Sequence, residues 1–504
     1  MESNIKHNIN FLQELVRTNS VTENEGEIQN KIFKQLKLFG LSENEVFLQG
    51  DNIVVHIEGK NRSKAVMLIP HVDTVDLGKE SDWKFGNALS AEIEDGKLFG
   101  RGACDTKAGV FAAVEIAQIL HEKSERNEPP ECDVYCAFVV GEETKGKGIR
   151  QFADWMAQEK VLNQYDDVSV IFLEPTQLEV DYGSRGNRIY EAIADSQNGI
   201  PAMENMFYFL INTYNQTTLW SQTQKHAFGS TLMNATNVNS DKEEHRPISV
   251  RTIKKKLKIH AKGKNNHVSK TGNISMDQLA MDRVAGFLWE TQNLWSSQNP
   301  QTSKQILLPV NIETQKTKAN QTPDSVCIEF DVVGEINQQI LKEIVKKHDL
   351  EITEIPVVDN TTEIPTKVTA KIDMRTIPDQ HDAAHEAINR IAQNTGVSLV
   401  ESLGGSPPSF TDPQSSIFES FHYAGMQNDL RNIAVGVFSA ASDANVLESL
   451  GPLFRRIKKI IFGAGNMEQA HTINEFVDLR QVDKSIDILL STIEHWGKIP
   501  VEIN

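Results

Sequence analysis

His71 and Asp73 stand in LIPHVDTVD where an apolar run ends, so both lie on one side of a strand as it leaves its sheet. Imidazole suits a borderline-soft divalent cation, and a carboxylate two residues on can accept the other ring N–H and fix the tautomer. Taken alone, such a pair is also an ordinary polar strand end. Asp105 lies in GRGACDTKAG, where glycines bend the backbone ahead of a helix expected from about Lys107. A carboxylate there can bridge two cations, or it can cap the helix. Glu142 and Glu143 follow CAFVVG at another strand end, and adjacent side chains point to different sides, so one can hold metal while the other faces a substrate. Glu174 closes the apolar run VIFL and precedes Pro175, which keeps it extended. His471, in FGAGNMEQAHTINE, follows a further strand and a Gly-rich bend. Two histidines with three or four carboxylates on successive strand ends form a mixed N and O donor set for divalent first-row cations. With a spare carboxylate beside them, the chemistry is activation of water and hydrolysis.

Those positions require a scaffold of alternating strands and helices. Periodic apolar positions in NFLQELV and EIQNKIFKQLKLFG predict helices, followed by the strands NIVVHI and AVMLIP. AGVFAAVEIAQILHEK reads as a helix, and DVYCAFVV and VSVIFLE as buried strands. This alternation predicts an α/β fold, a mostly parallel twisted sheet with helices on both faces.

From residue 187 to 378 the texture changes to longer polar strands and amphipathic helices. KKKLKIHAK alternates Leu257, Ile259 and Ala261 with lysines and a histidine, the pattern of a strand with one wet face. A solvated face, rather than a docking site for an acidic partner, is the expected use of those lysines. The first texture returns at 379, with DAAHEAINRIAQNTG as a helix, IAVGVF and IKKIIF as strands and VDKSIDILLSTIEHW as a closing helix. Residues 1–186 and 379–504 are therefore expected to form a catalytic domain, and 187–378 an inserted α+β lid. Ser196, Gly199, Met203 and Glu204 recur at one common spacing as Ser269, Gly272, Met276 and Asp277, with Ala194 standing where the second set has His267. A duplicated lid follows, its second copy near 251–345.

A chain of 504 residues favours two domains. A net charge of −18 repels phosphate backbones and anionic lipid, which argues against nucleic acid and membrane partners. Four cysteines without knuckle spacing point to reduced thiols, Cys104 being read as a small residue packed behind the site. The first residues lack the apolar core of a secretory signal, so a cytoplasmic location is expected.

HVDTV, GRGACDTKAG, GEE, EPT and GAGNMEQAHTINE resemble, in order and spacing, the di-zinc peptidase and deacylase family. That family includes acetylornithine deacetylase, succinyl-diaminopimelate desuccinylase, glutamate carboxypeptidases and dipeptidases. The resemblance implies that His71 and Glu174 hold one cation, Glu143 and His471 the other, and Asp105 bridges them. It makes Glu142 the general base, Asp73 the residue orienting His71, and Asp105–Thr106 a cis peptide. Two divalent cations are implied, zinc foremost, with cobalt or manganese also suited to the donors. KIDMRTIPD resembles the stretch supplying a substrate-carboxylate arginine, here Arg375. KGKNNHVSKTGNISMDQ resembles the lid loop with a histidine, His267, and KANQTPDS the lid's asparagine turn, Asn320.

The implied activity is cleavage of an amide bond in a small molecule or short peptide with a free carboxylate, of dipeptidase, carboxypeptidase or deacylase type. An enlarged lid would let His267 and Asn320 reach their own chain's site, so a monomer is expected over a homodimer. The competing reading is a catalytically silent relative that binds a metal or metabolite; the intact Glu142 speaks against it.

Overall fold

The computed structural model describes residues 7, 9–196, 202–224, 232–240, 245–248, 255–263, 279–298, 307–314, 322–332, 338–355, 362–430 and 433–501. The chain divides into two compact units, Met1–Arg185 with Pro407–Asn504, and Gly186–Ser406.

The first unit carries a nine-stranded sheet in the order Val46–Gln49, Asn52–Ile57, Cys132–Phe138, Asn61–Ile69, Asp167–Phe172, Lys458–Ile461, Val180–Ser184, Ser409–Phe410, with Val435–Phe438 also paired to Val180–Ser184. Its four central strands run parallel. Their apolar runs at 65–69, 134–138, 170–172 and 460–461 follow from burial of both faces. On Asn61–Ile69, Val66 and Leu68 enter one core with Phe111 and Ile486, which come from the helices Ala108–Glu125 and Leu479–Lys498. Ala65, Met67 and Ile69 enter another with Phe152 and Leu447, from the helices Lys147–Gln158 and Asp443–Ser449. The expected α/β sheet with helices on both faces is present.

The second unit carries an eight-stranded sheet, and its topology is duplicated. One copy runs strand Gly186–Asp195, helix Ala202–Thr223, strand Leu232–Ser240, then strand Lys367–Thr376, helix His381–Thr395 and strand Val397–Ser406. The other is inserted between its second and third strands: strand Lys255–Lys262, helix Ala280–Gln298, strands Leu307–Thr314 and Ser325–Val332, helix Gln338–Lys347, strand Leu350–Ile355. Each copy orders its strands second, third, first, fourth, and the second strands of the two copies meet in antiparallel pairing at Asn239 and Glu313.

Two expected boundaries differ from these limits. The sheet domain resumes at Pro407 rather than 379, because Ala384, Ile388 and Ala392 of the helix His381–Thr395 pack into the second unit's core with Met203 and Met206. The second copy runs to Ile355 rather than 345, since its last strand pairs with Lys255–Lys262. Part of the sequence repeat, Gly199, Ser269, Gly272, Met276 and Asp277, falls outside the described residues.

The lysines of Lys255–Lys262 are paired on its wet face, Lys255 with Glu354, Lys258 with Glu329 and Lys262 with Glu351. Among the described residues no helix is long and apolar enough to cross a membrane.

Candidate metal centre

Parallel strands place the candidate ligands at one edge of the first unit's sheet. His71 follows Asn61–Ile69 and is locked beside the neighbouring strand, with Val72 N donating to Val139 O at 2.9 Å and Val139 N to Pro70 O at 3.1 Å. Glu142 and Glu143 leave the end of that neighbouring strand, and Glu174 leaves Asp167–Phe172. Asp105 lies in a tight bend containing a cis peptide between Asp105 and Thr106. Gly102 opens that bend at φ +80°, where a Cβ would meet Thr74 at 2.6 Å. His471 itself adopts φ +62° in the loop after Lys458–Ile461.

The bend is gripped from behind by Glu475. Its Oε1 accepts the backbone N–H groups of Cys104 (2.9 Å) and Asp105 (3.1 Å), while its Oε2 takes Arg101 Nη1 at 2.8 Å. Both partners of that ion pair are buried.

These elements bring the five side chains together. His71 Nε2 lies 3.0 Å from Asp105 Oδ1 and 3.9 Å from Glu174 Oε2. His471 Nε2 lies 3.2 Å from Asp105 Oδ2 and 3.0 Å from Glu143. His71, Asp105 and Glu174 offer donor atoms all within 4.8 Å of one another, and so do Asp105, Glu143 and His471. Asp105 thus belongs to both groups, one oxygen turned to each histidine.

Such crowding sets the electrostatics. Burial, with the charge of Asp105 adding, pushes the Glu174 carboxyl up to about 8. Burial also raises Glu142 well above the usual carboxylate range and raises Glu143. Burial disfavours charge on His471, but its hydrogen bonds to Asp105 and Glu143 outweigh that and lift it to about 11. His71 is raised well above its ordinary value by Asp105 and Asp73 against the same opposition. Asp105 is held far below the carboxylate range by the two imidazoles despite its burial. The packed carboxylates thus favour positive charge at the two histidines. Divalent cations would supply that charge, since metal ligation requires neutral imidazole and ionised carboxylate. The donor set therefore fits a cation pair: each group has one imidazole and two carboxylates, with Asp105 common to both.

Residues 67–495 match the peptidase family M20/M25/M40. The chain belongs to that family.

A probable succinyl-diaminopimelate desuccinylase of Staphylococcus aureus is 26% identical to this M20 chain over 227 residues, 44% of this chain and 54% of that protein. The chain spans about half the length of the curated relatives it matches. Among solved structures, it resembles aminoacylhistidine dipeptidase from Vibrio alginolyticus, with TM-score 0.62, 13% identity and coverage of 96% of this chain and 95% of that one. It also resembles the M20 metallo-carboxypeptidase Sso-CP2 from Sulfolobus solfataricus, with TM-score 0.55, 13% identity and coverage of 97% and 98%. At these identities the likeness is one of fold.

The remaining expected site residues of the M20 chain are placed as follows. His71 Nδ1 lies 3.0 Å from the backbone carbonyl of Asp73 and 3.6 Å from its carboxylate. The Asp73 carboxylate is engaged elsewhere, accepting Glu142 N (3.0 Å), Glu143 N (3.1 Å) and Thr22 Oγ1 (2.8 Å). Arg375 is buried in the second unit, and its Nε and Nη2 donate to Asp373 at 2.6 and 2.9 Å, so that edge of the guanidinium is taken by its own strand. His267 and Asn320 lie outside the described residues.

Two residues carried no expected role. Glu475 closes the run containing His471, and its only sequence signal is a carboxylate within a motif already suspected. Asp443, buried at the start of a helix, acts on His71, Glu142 and Glu174 through its charge, and nothing in SASDANVL marks it out.

Proposed function

We propose that this chain hydrolyses an amide bond in a small peptide or N-acyl amino acid, with His71, Asp105 and Glu174 as ligands of one divalent cation and Asp105, Glu143 and His471 as ligands of the other. The observation that carries the reading is the Asp105 carboxylate, whose oxygens face His71 and His471 separately. Two cations there, zinc foremost, would supply Lewis-acid polarisation and a water of lowered pKa.

Glu142 is the general base in this reading. It sits beside the ligand Glu143 with its backbone pinned by Asp73, and its side chain makes no hydrogen bond among the described residues. A carboxylate at that position would accept a proton from the attacking water and return it to the leaving nitrogen. Arg375, positioned by Asp373, would bind a substrate carboxylate through the guanidinium edge that Asp373 leaves open, with His267 and Asn320 completing the lid's contribution.

The reading extends to a cytoplasmic monomer. Asn239 and Glu313 support the monomer, because the second strands of the two copies pair with each other and cover what would be an open sheet edge in a single copy. A panel of dipeptides and N-acyl amino acids, assayed with zinc, cobalt and manganese, tests the activity. Metal-stimulated release of a free amino acid is expected; metal binding with no hydrolysis of any compound would identify a silent relative.

A further inference from the structure

Asp443 opens the helix Asp443–Ser449 directly after its N-cap, Ser442. The first turn is fixed by a reciprocal capping box in which Ala444 N donates to Ser442 Oγ at 3.3 Å and Ser442 N to Asn445 Oδ1 at 2.9 Å. Asn445 Nδ2 in turn donates to the carbonyls of Arg185 (3.0 Å) and Pro407 (2.8 Å). None of these donors serves the Asp443 carboxyl. Asp443 is 2% exposed, and its Oδ1 is buried without a hydrogen-bond partner among the described residues.

The carboxyl stands against the loop of the proposed base. A Cβ at Gly146 would come to 3.0 Å from Asp443 Oδ1, and Gly146 closes the turn after Glu142 and Glu143, its N–H donating to Gly141 O at 2.9 Å. The charge of Asp443 acts on Glu142 and Glu174, and those of His71 and Asp73 act on it. Arg150, the other cation that acts on it, donates its Nε to the Lys145 carbonyl instead.

A capping aspartate would accept backbone N–H groups, but here Ser442 fills that role. A buried carboxylate with no donor among the described residues is costly to keep ionised. It is relieved by a proton or by a cationic group brought from outside. A third metal ion is a poor fit, because the metal-capable groups among the described residues do not include Asp443. An ammonium group, with three donors and a single charge, needs no such convergence of ligands.

We propose that Asp443 binds a free ammonium group of the substrate beside the scissile amide, so that aminoacyl compounds such as dipeptides are preferred to simple N-acyl amino acids. The proposal rests on the amide-hydrolase reading and narrows its substrate class.

The test compares a dipeptide with its N-acetyl counterpart on the metal-loaded enzyme. Asp443→Asn keeps the shape of the protonated acid, and Asp443→Ser suits the first turn of a helix; melting temperatures report on folding. In both variants kcat/KM is expected to fall about 10- to 100-fold more for the dipeptide than for the N-acetyl compound, the worth of a charged hydrogen bond. Equal falls, or no fall, would overturn the proposal. Equilibrium binding of the same two compounds is measured in a Glu142→Gln background, with and without Asp443→Asn. A preference for the dipeptide that vanishes with Asp443→Asn supports the ammonium site even where neither compound is hydrolysed, an outcome that would remove the hydrolase reading alone. Equal binding of both compounds to the parent overturns the ammonium site.

Discussion

The Asp73 carboxylate accepts the backbone N–H of Glu142 at 3.0 Å, so the residue next to the ligand His71 also sets the position of the proposed base. Its other oxygen holds Glu143 in the same way, and Thr22 steadies it. A single buried side chain thereby ties the ends of two parallel strands together, one carrying an imidazole and the other two carboxylates.

Asp73→Ala should therefore impair more than the orientation of His71. Turnover is expected to fall about 10- to 100-fold, with weakened metal affinity, as for other residues that support metal ligands. Normal turnover with full metal content would mean that the Glu142–Glu143 turn holds its shape without Asp73.

Glu142→Gln should separate binding from catalysis. Metal content measured by elemental analysis stays at the wild-type level, while kcat drops by roughly two to four powers of ten. Retained turnover would remove Glu142 from the proton-transfer step.

Glu475→Ala should act on stability as well as on the site. It leaves Arg101, 3% exposed on its side chain, with only the carbonyls of Asp76 and Thr472 as partners and no carboxylate, and it frees the backbone N–H groups of Cys104 and Asp105. Breaking a buried pair costs about 3–5 kcal/mol, so a large drop in the denaturant midpoint is expected. A midpoint within error of wild type would show that Arg101 is satisfied without the carboxylate.

Much of this centre was legible in the sequence, for a physical reason. Buried parallel strands close on apolar runs, so a histidine or carboxylate that follows one is conspicuous, as with His71, Glu142, Glu143 and Glu174. The second unit's far boundary was not legible, because His381–Thr395 is an amphipathic helix that would read alike on either sheet. The duplication showed only faintly: the connection from Lys262 to Ala280 is longer than that from Asp195 to Ala202, so no one spacing aligns strands and helices together. Asp443 and Glu475 act through burial and backbone contacts that exist only after folding. For Asp73, sequence identified the residue but not which atom orients His71.

Asp181 gives a pH test away from the proposed ligands. Burial, with the charge of Glu179 adding, pushes its carboxyl up to about 8, against about 4 for an unfolded aspartate. Between those values the folded chain binds the extra proton, so the contribution of this group is present at low pH and lost as pH rises through about 8. Asp181→Asn should accordingly raise the melting temperature relative to wild type most at alkaline pH, the difference shrinking towards pH 4. A variant less stable than wild type under alkaline conditions would contradict this.

Anomalous diffraction from crystals of the zinc-loaded protein tests the central claim most directly. Two metal peaks flanking the Asp105 carboxylate are expected, one shared with His71 and Glu174 and one with Glu143 and His471. A single peak, or peaks away from Asp105, would contradict the account.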